Sequence, residues 1–236
     1  MDICKEYGVD TTYIKKVPAQ GGHTIIQVDK EGRNNIILYG GTNQMQSREY
    51  IDKVLSDFTA GDYLLLQNEI NQLAYIMESA YKKGMKIVLN PSPADETLLA
   101  CSIGTVDYLI LNEIEIRQVY EGVFGRDSLG ITDENQLADA CIERFPNMKI
   151  IMTLGSRGSV YKDRGQTVIQ KAYRVRAVDT TAAGDTFTGY VMSGILAGDD
   201  IQTAMDRASR AAAMAVTVKG AAPSIPWRKQ VDAAKL

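Results

Sequence analysis

Asp185 follows a run of very small side chains, Thr181-Ala182-Ala183-Gly184, and a helix-length apolar stretch begins just after it. A chain that enters a helix there presents backbone N–H groups with no intrahelical partner, and its first turn carries partial positive charge. Ala182, Ala183 and Gly184 leave those N–H groups open to an anion, whether a phosphate or a developing oxyanion. Asp185 then has two readings. It can answer the helix dipole and nothing more. Alternatively, it can act as a general base that takes a proton from a substrate hydroxyl while the N–H cluster stabilises charge on the transferring group. One carboxylate beside one anion hole suits phosphoryl transfer.

Such a site needs a strand, a tight turn and a helix start to hold it. The Val- and Arg-rich stretch from Tyr173 to Val178 predicts the strand. Further back, the two apolar runs 24–28 and 35–39 flank Asp29-Lys30-Glu31-Gly32-Arg33-Asn34, a β-hairpin signal. Gly8 reads as a helix C-cap after about two turns. From Ser47 the pattern alternates: a helix to Phe58, a strand at 63–66, a helix over 71–83 ended by Gly84, and a strand at 86–89. A short helix near 96–101, a strand at 108–111, a helix from Glu113, a helix opened by Thr132 and running to Phe145, and a strand at 149–154 follow. Short apolar strands alternating with helices predict a mostly parallel sheet covered on both faces, with its site beyond the carboxyl ends of the strands. Gln67 to Glu69, Asn90, Asn112 and Thr153 fall at those ends. Short strands and turns resume from Ser159, and an Ala-rich helix is expected over 201–218. No repeat or linker breaks the chain, so residues 1–236 read as one domain with 20–42 as part of a small β lid.

Composition narrows the function classes. The 236 residues are 45% hydrophobic and 23% charged, as in ordinary globular chains. A formal net charge of −3 gives no electrostatic case for nucleic acid or an anionic membrane. Cys4, Cys101 and Cys141 are odd in number and lack metal or disulfide spacing, which suits a reducing cytoplasm. His23 is the sole histidine and has no nucleophile context, so it reads as a strand or loop residue; Trp227 is expected to pack the C-terminal tail.

The run Asp179-Thr180-Thr181-Ala182-Ala183-Gly184-Asp185 resembles the D-T-x-A-x-G-D signature of the ribokinase-like sugar kinases, the PfkB family. Thr153-Leu154-Gly155-Ser156-Arg157-Gly158, Asn112-Glu113-Ile114-Glu115 and the tail 219–227 extend that resemblance over nearly the whole chain. It implies a three-layer α/β/α sandwich and transfer of the ATP γ-phosphoryl to a primary sugar hydroxyl, D-ribose giving ribose 5-phosphate before deoxyribose, fructose or a nucleoside. Asp185 would be the base, with Gly184, Ala183 and Ala182 as the anion hole. Asn112 and Glu115 match the N-x-x-E motif that helps hold Mg²⁺ and phosphate through water, although a plain helix cap explains the same spacing. Thr153, Gly155, Ser156, Arg157 and Gly158 would touch the nucleotide; a hairpin turn would also account for the two glycines. Ser209 stands where several members carry a His near the adenine.

Asp179 and Ser224, with backbone carbonyls of Thr181, Ala215, Val218 and Gly220, match the family's monovalent cation site, and neutral carbonyls with one carboxylate suit K⁺ better than Mg²⁺. Glu69 aligns with an acidic residue that contacts sugar, although an exposed loop carboxylate is the plainer explanation. The lid strands imply a homodimer. Family members begin with an Asp-bearing strand and a G-G-x-G-x-N helix that grip the sugar, and neither motif is found here. The expectation is therefore an N-terminally shortened chain with an exposed apolar sheet edge, and a catalytically incomplete nucleotide-binding fragment or regulatory protein is the competing reading.

Overall fold

Short apolar runs buried on both faces of a sheet set the architecture. The computed structural model describes residues 2–28, 34–125 and 130–236. A six-stranded sheet is formed by β3 (Tyr63–Gln67), β4 (Lys86–Asn90), β5 (Tyr108–Asn112), β6 (Lys149–Thr153), β7 (Ser159–Lys162) and β8 (Thr167–Gln170), in that spatial order. The first four strands run parallel, β7 pairs antiparallel with β6, and β8 pairs antiparallel with β7. β1 (His23–Val28) and β2 (Asn34–Tyr39) pair separately as an antiparallel hairpin, with His23 opposite Tyr39. The turn expected between them falls at 29–33, outside the described residues.

The chain also forms helices α1 (Asp2–Glu6), α2 (Arg48–Leu55), α3 (Leu73–Lys82), α4 (Glu96–Leu99), α5 (Glu113–Phe124), α6 (Glu134–Arg144), α7 (Ala183–Leu196), α8 (Ile201–Ala215) and α9 (Arg228–Ala233). Because strand side chains alternate between faces, Ile87, Leu89, Leu109, Leu111, Ile150 and Met152 project into one core with α3, α5 and α6. Val88, Tyr108, Ile110, Ile151 and Tyr161 project into the other, with α7 and α8. The result is an α/β/α sandwich, as expected. The Ala-rich face of α8 has a packing reason. Ala204 and Ala208 are fully buried against α7, and a Cβ at Gly194 would lie only 2.8 Å from the Ala204 Cβ. Small residues thus let α7, which carries Asp185, lie close against its neighbour.

Several boundaries move for identifiable reasons. The expected strand over Tyr173–Val178 does not form. After β8 the chain leaves the sheet, and Val178 and Asp179 both donate their N–H to Val216 O, at 2.7 and 3.1 Å. Thr132 does not open α6; Asp133 caps it, accepting from Asn135 N and Gln136 N. α8 stops at Ala215 rather than Val218, which frees residues 216–220 to form a turn. Trp227 is half-exposed and stacks on Tyr7 with ring centres 5.0 Å apart. The β3 edge carries Leu65 at 49% exposure, an apolar edge of the kind the sequence predicts. No helix among the described residues is long and apolar enough to cross a membrane.

Candidate active site

Ala182 adopts a left-handed conformation, φ +59°, and ends the approach to α7 with no side-chain cap. A non-glycine residue in that region is strained, and it turns the chain sharply into the helix. Ala183 N donates to Thr180 O at 3.3 Å, while Gly184, next in line, borders open space. Asp185 is exposed in this first turn, which no side chain caps.

Beside that turn lies a cleft of about 410 Å³. Thr153, Gly155, Ser156 and Gly158 line one side of it, and Ala183, Gly184 and Ser209 another. Phe187, Ala212, Ala213, Val216 and Val175 give it an apolar wall, so the segment that fails to become a strand serves as cleft lining. A cleft lined by small polar residues and by larger apolar ones can hold a phosphate and an aromatic base together. The 153–158 loop is also the hairpin turn between β6 and β7, closed by Leu154 N donating to Gly158 O at 2.8 Å. Gly158 sits at φ +102°, and a Cβ there would fall 2.0 Å from Gln170 O, so only glycine fits. Arg157 does not line the cleft; its guanidinium pairs with Glu134 of α6.

At the end of β5, Asn112 Oδ1 accepts from Ile114 N and Glu115 N, both at 2.9 Å, and Glu115 Oε2 accepts from Asn112 N at 3.0 Å. This reciprocal box caps α5. Glu115 is buried, and burial pushes its carboxyl above the ordinary range despite the pull of the Asn112 amide.

Asp179 ties two turns together. Its Oδ1 accepts from Thr181 N and its Oδ2 from Gly220 N, each at 2.9 Å. The bonds from Thr181 and Gly220 hold its carboxyl down at about 2. Ala215 O accepts from Val218 N at 3.0 Å, and Ser224 is buried with its hydroxyl donating to Ala221 O at 2.8 Å. Asp179, Thr181 and the 215–224 segment therefore share one neighbourhood. Among the described residues no three His, Cys, Asp or Glu side chains converge on a metal, so a cation here would rest mainly on main-chain oxygens. Glu69 lies just past β3, exposed, with its carbonyl accepting from Gln44 Nε2 at 2.8 Å.

Gln67 and Asn90 stand at strand ends, and the sequence by itself assigns them no role. Gln67 Nε2 donates to Asn90 Oδ1 at 2.8 Å and to Asp185 Oδ1 at 3.2 Å, and Asn90 Nδ2 donates to Ile110 O at 2.8 Å. The ends of β3 and β4 and the middle of β5 are thus linked to the α7 carboxylate through two amide side chains. Both residues close their strands in register, opposite each other, which is the one sequence signal that could have paired them.

Comparison with known proteins accords with this geometry. Residues 1–228 match the family described as pfkB family carbohydrate kinase. The chain belongs to that family. A ribokinase of Haemophilus influenzae is 33% identical over 227 residues, which span 94% of this chain and 72% of the relative. A deoxyribokinase of Salmonella typhi is 32% identical over 236 residues, 97% of this chain and 74% of the relative. The crystal structure of ribokinase from Cryptococcus neoformans var. grubii in complex with ADP matches with a TM-score of 0.83 at 26% identity, covering 98% of this chain and 77% of that one. The α7 turn and the cleft beside it are therefore described in a carbohydrate kinase fold.

Proposed function

We propose that the protein transfers the γ-phosphoryl group of ATP to a primary hydroxyl of a pentose, D-ribose first and deoxyribose second. The carrying observation is the position of Asp185 in the uncapped first turn of α7, next to Gly184, which lines the cleft. ATP would lie with its base against the apolar wall near Ser209 and its phosphates towards Gly155, Ser156, Gly158 and Gly184. Asp185 then takes the proton from the sugar hydroxyl as that oxygen attacks the γ-phosphorus and the bond to the ADP oxygen breaks. The amides around Ala182, Ala183 and Gly184 stabilise the charge spread over the transferring group. Since this chemistry rests mainly on position and charge, a fixed turn is what the fold must supply.

Asn112 and Glu115 would hold Mg²⁺ through water. Their fit is chemical: a carboxyl that burial disfavours in its charged form is relieved by a cation nearby. Mg²⁺ bound with ATP would neutralise phosphate charge. For K⁺, the candidate donors are the ionised Asp179, Ser224 and the carbonyls of Thr181, Ala215, Val218 and Gly220. Mostly neutral oxygens suit a large, weakly hydrated ion, and the role would be to fix the turn before Ala182. Glu69 would accept from sugar hydroxyls, and Arg157 would act through the loop it anchors. The β1–β2 hairpin would cover the sugar and pair with a second copy, giving a homodimer.

The reading is tested by ADP release from MgATP and K⁺ with ribose, deoxyribose, fructose and a nucleoside in turn. Pentose-stimulated release supports it, with ribose ahead of deoxyribose. A folded chain that binds ATP and responds to no acceptor would instead be a nucleotide-binding protein.

A further inference from the structure

We propose that Gln67 is a positioning residue for Asp185, and that its orientation is dictated by the Ile110 carbonyl through Asn90. The inference rests on the kinase reading for its catalytic meaning, while the contact itself stands on geometry. A backbone carbonyl can only accept, so Asn90 must turn its Nδ2 towards Ile110 O, 2.8 Å away. That leaves Asn90 Oδ1 facing Gln67, which must present Nε2. The same Nε2 carries a second hydrogen, and it goes to Asp185 Oδ1 at 3.2 Å. A fixed acceptor in the middle of the sheet thus sets the direction of every bond out to the first turn of α7. The amides are only partly buried, but each has its partner, and such a chain is oriented as a unit.

The consequence is a division of labour between the two oxygens of Asp185. Oδ1 is held by Gln67, which fixes the plane of the carboxylate, and among the described residues no hydrogen bond engages Oδ2. Oδ2 is then the oxygen that receives the proton from the acceptor hydroxyl. The sheet and α7 are tied here through the carboxyl ends of β3 and β4 and the middle of β5, so the base is referenced to the strands as well as to its own helix. Reversing one amide breaks the chain. A Glu at position 67 would set oxygen against Asn90 Oδ1 and Asp185 Oδ1, and an Asp at position 90 would set oxygen against Ile110 O.

Two measurements test this. The first needs no activity: the two Gln67 Nε2–H resonances are compared by NMR in the wild-type protein and in Asp185→Ala. The one bonded to Asp185 is expected to move while the one held by Asn90 stays; two unmoved resonances overturn the contact. The second compares turnover in Gln67→Met and Gln67→Glu. We expect kcat to fall about 10-fold in the first and about 100-fold in the second, within the range general-base catalysis supplies, with the KM for ATP unchanged. Variants that bind ATP and turn over at the wild-type rate overturn the positioning role and leave the kinase reading standing. If no acceptor stimulates the wild-type protein, the kinase reading fails and the NMR result alone decides the contact.

Discussion

Asp179 Oδ2 accepts a hydrogen bond from Gly220 N at 2.9 Å, joining residues 41 positions apart in sequence. The bond ties the turn that leads into α7 to the turn that leaves α8, and the left-handed Ala182 stands three residues beyond it. The geometry of the uncapped amides around Gly184 therefore depends on a carboxylate that touches none of them.

That dependence has a pH signature. The Asp179 carboxyl is depressed to about 2 in the folded chain, so its stabilising contribution is present above the unfolded value of about 4 and is lost as pH falls through about 2. Asp179→Asn is expected to lower Tm at neutral pH, with the gap to wild type closing on acidification across that window. A gap that does not change with pH would mean that the charge is not what holds the turn.

Glu115 carries the opposite sign. Burial raises its carboxyl, so its ionised form costs stability above the ordinary carboxylate range and costs nothing below it. Glu115→Gln keeps an oxygen for the Asn112 amide and removes the charge. We expect Tm to rise at neutral pH while Mg²⁺-dependent turnover falls, as measured by thermal scans and ADP release on the same preparation. A lower Tm would show that the charge of the capping box matters more than its desolvation.

Gly184 separates fold from function. A Cβ there meets nothing within 4 Å, and Ala is the better helix former by about 0.5–1 kcal/mol. Gly184→Ala should therefore be as stable as wild type or slightly more so in denaturant titration, yet slower, because the methyl group stands where the transferring group must approach the amides. Unchanged turnover would remove Gly184 from the anion hole.

Much of this was legible in the sequence, and what was not has physical causes. The strands are short apolar runs with turn signals at their ends, and the Asp185 turn is marked by its small residues. Tyr173–Val178 misleads because its composition suits a strand, while the amide at its end, Val178 N, finds Val216 O beside the end of α8 instead of a sheet neighbour. Asn112 and Glu115 are legible as a helix cap, and the structure builds that cap in full. Arg157 sits in a matching motif but pairs with Glu134, a partner 23 residues away that no local pattern reveals. Gln67 and Asn90 escaped because an amide gains its meaning from the atom it faces, and Asp185 lies 118 residues from Gln67.

The lid offers a separate test. Ile25 and Ile37 face each other across the hairpin, each about half-exposed, at 54% and 51%. If the hairpin pairs with a second copy, Ile37→Lys should shift the protein from dimer to monomer in sedimentation experiments without lowering Tm by more than a surface change does. A wild-type monomer would rule out that interface.

The central claim is tested most directly by ribose-stimulated ADP formation in wild-type protein and in Asp185→Asn, with ATP affinity measured on both by calorimetry. The account predicts stimulated turnover that falls ~10²–10⁴-fold in the variant while ATP binds equally well. A variant that turns over as fast as wild type would contradict it.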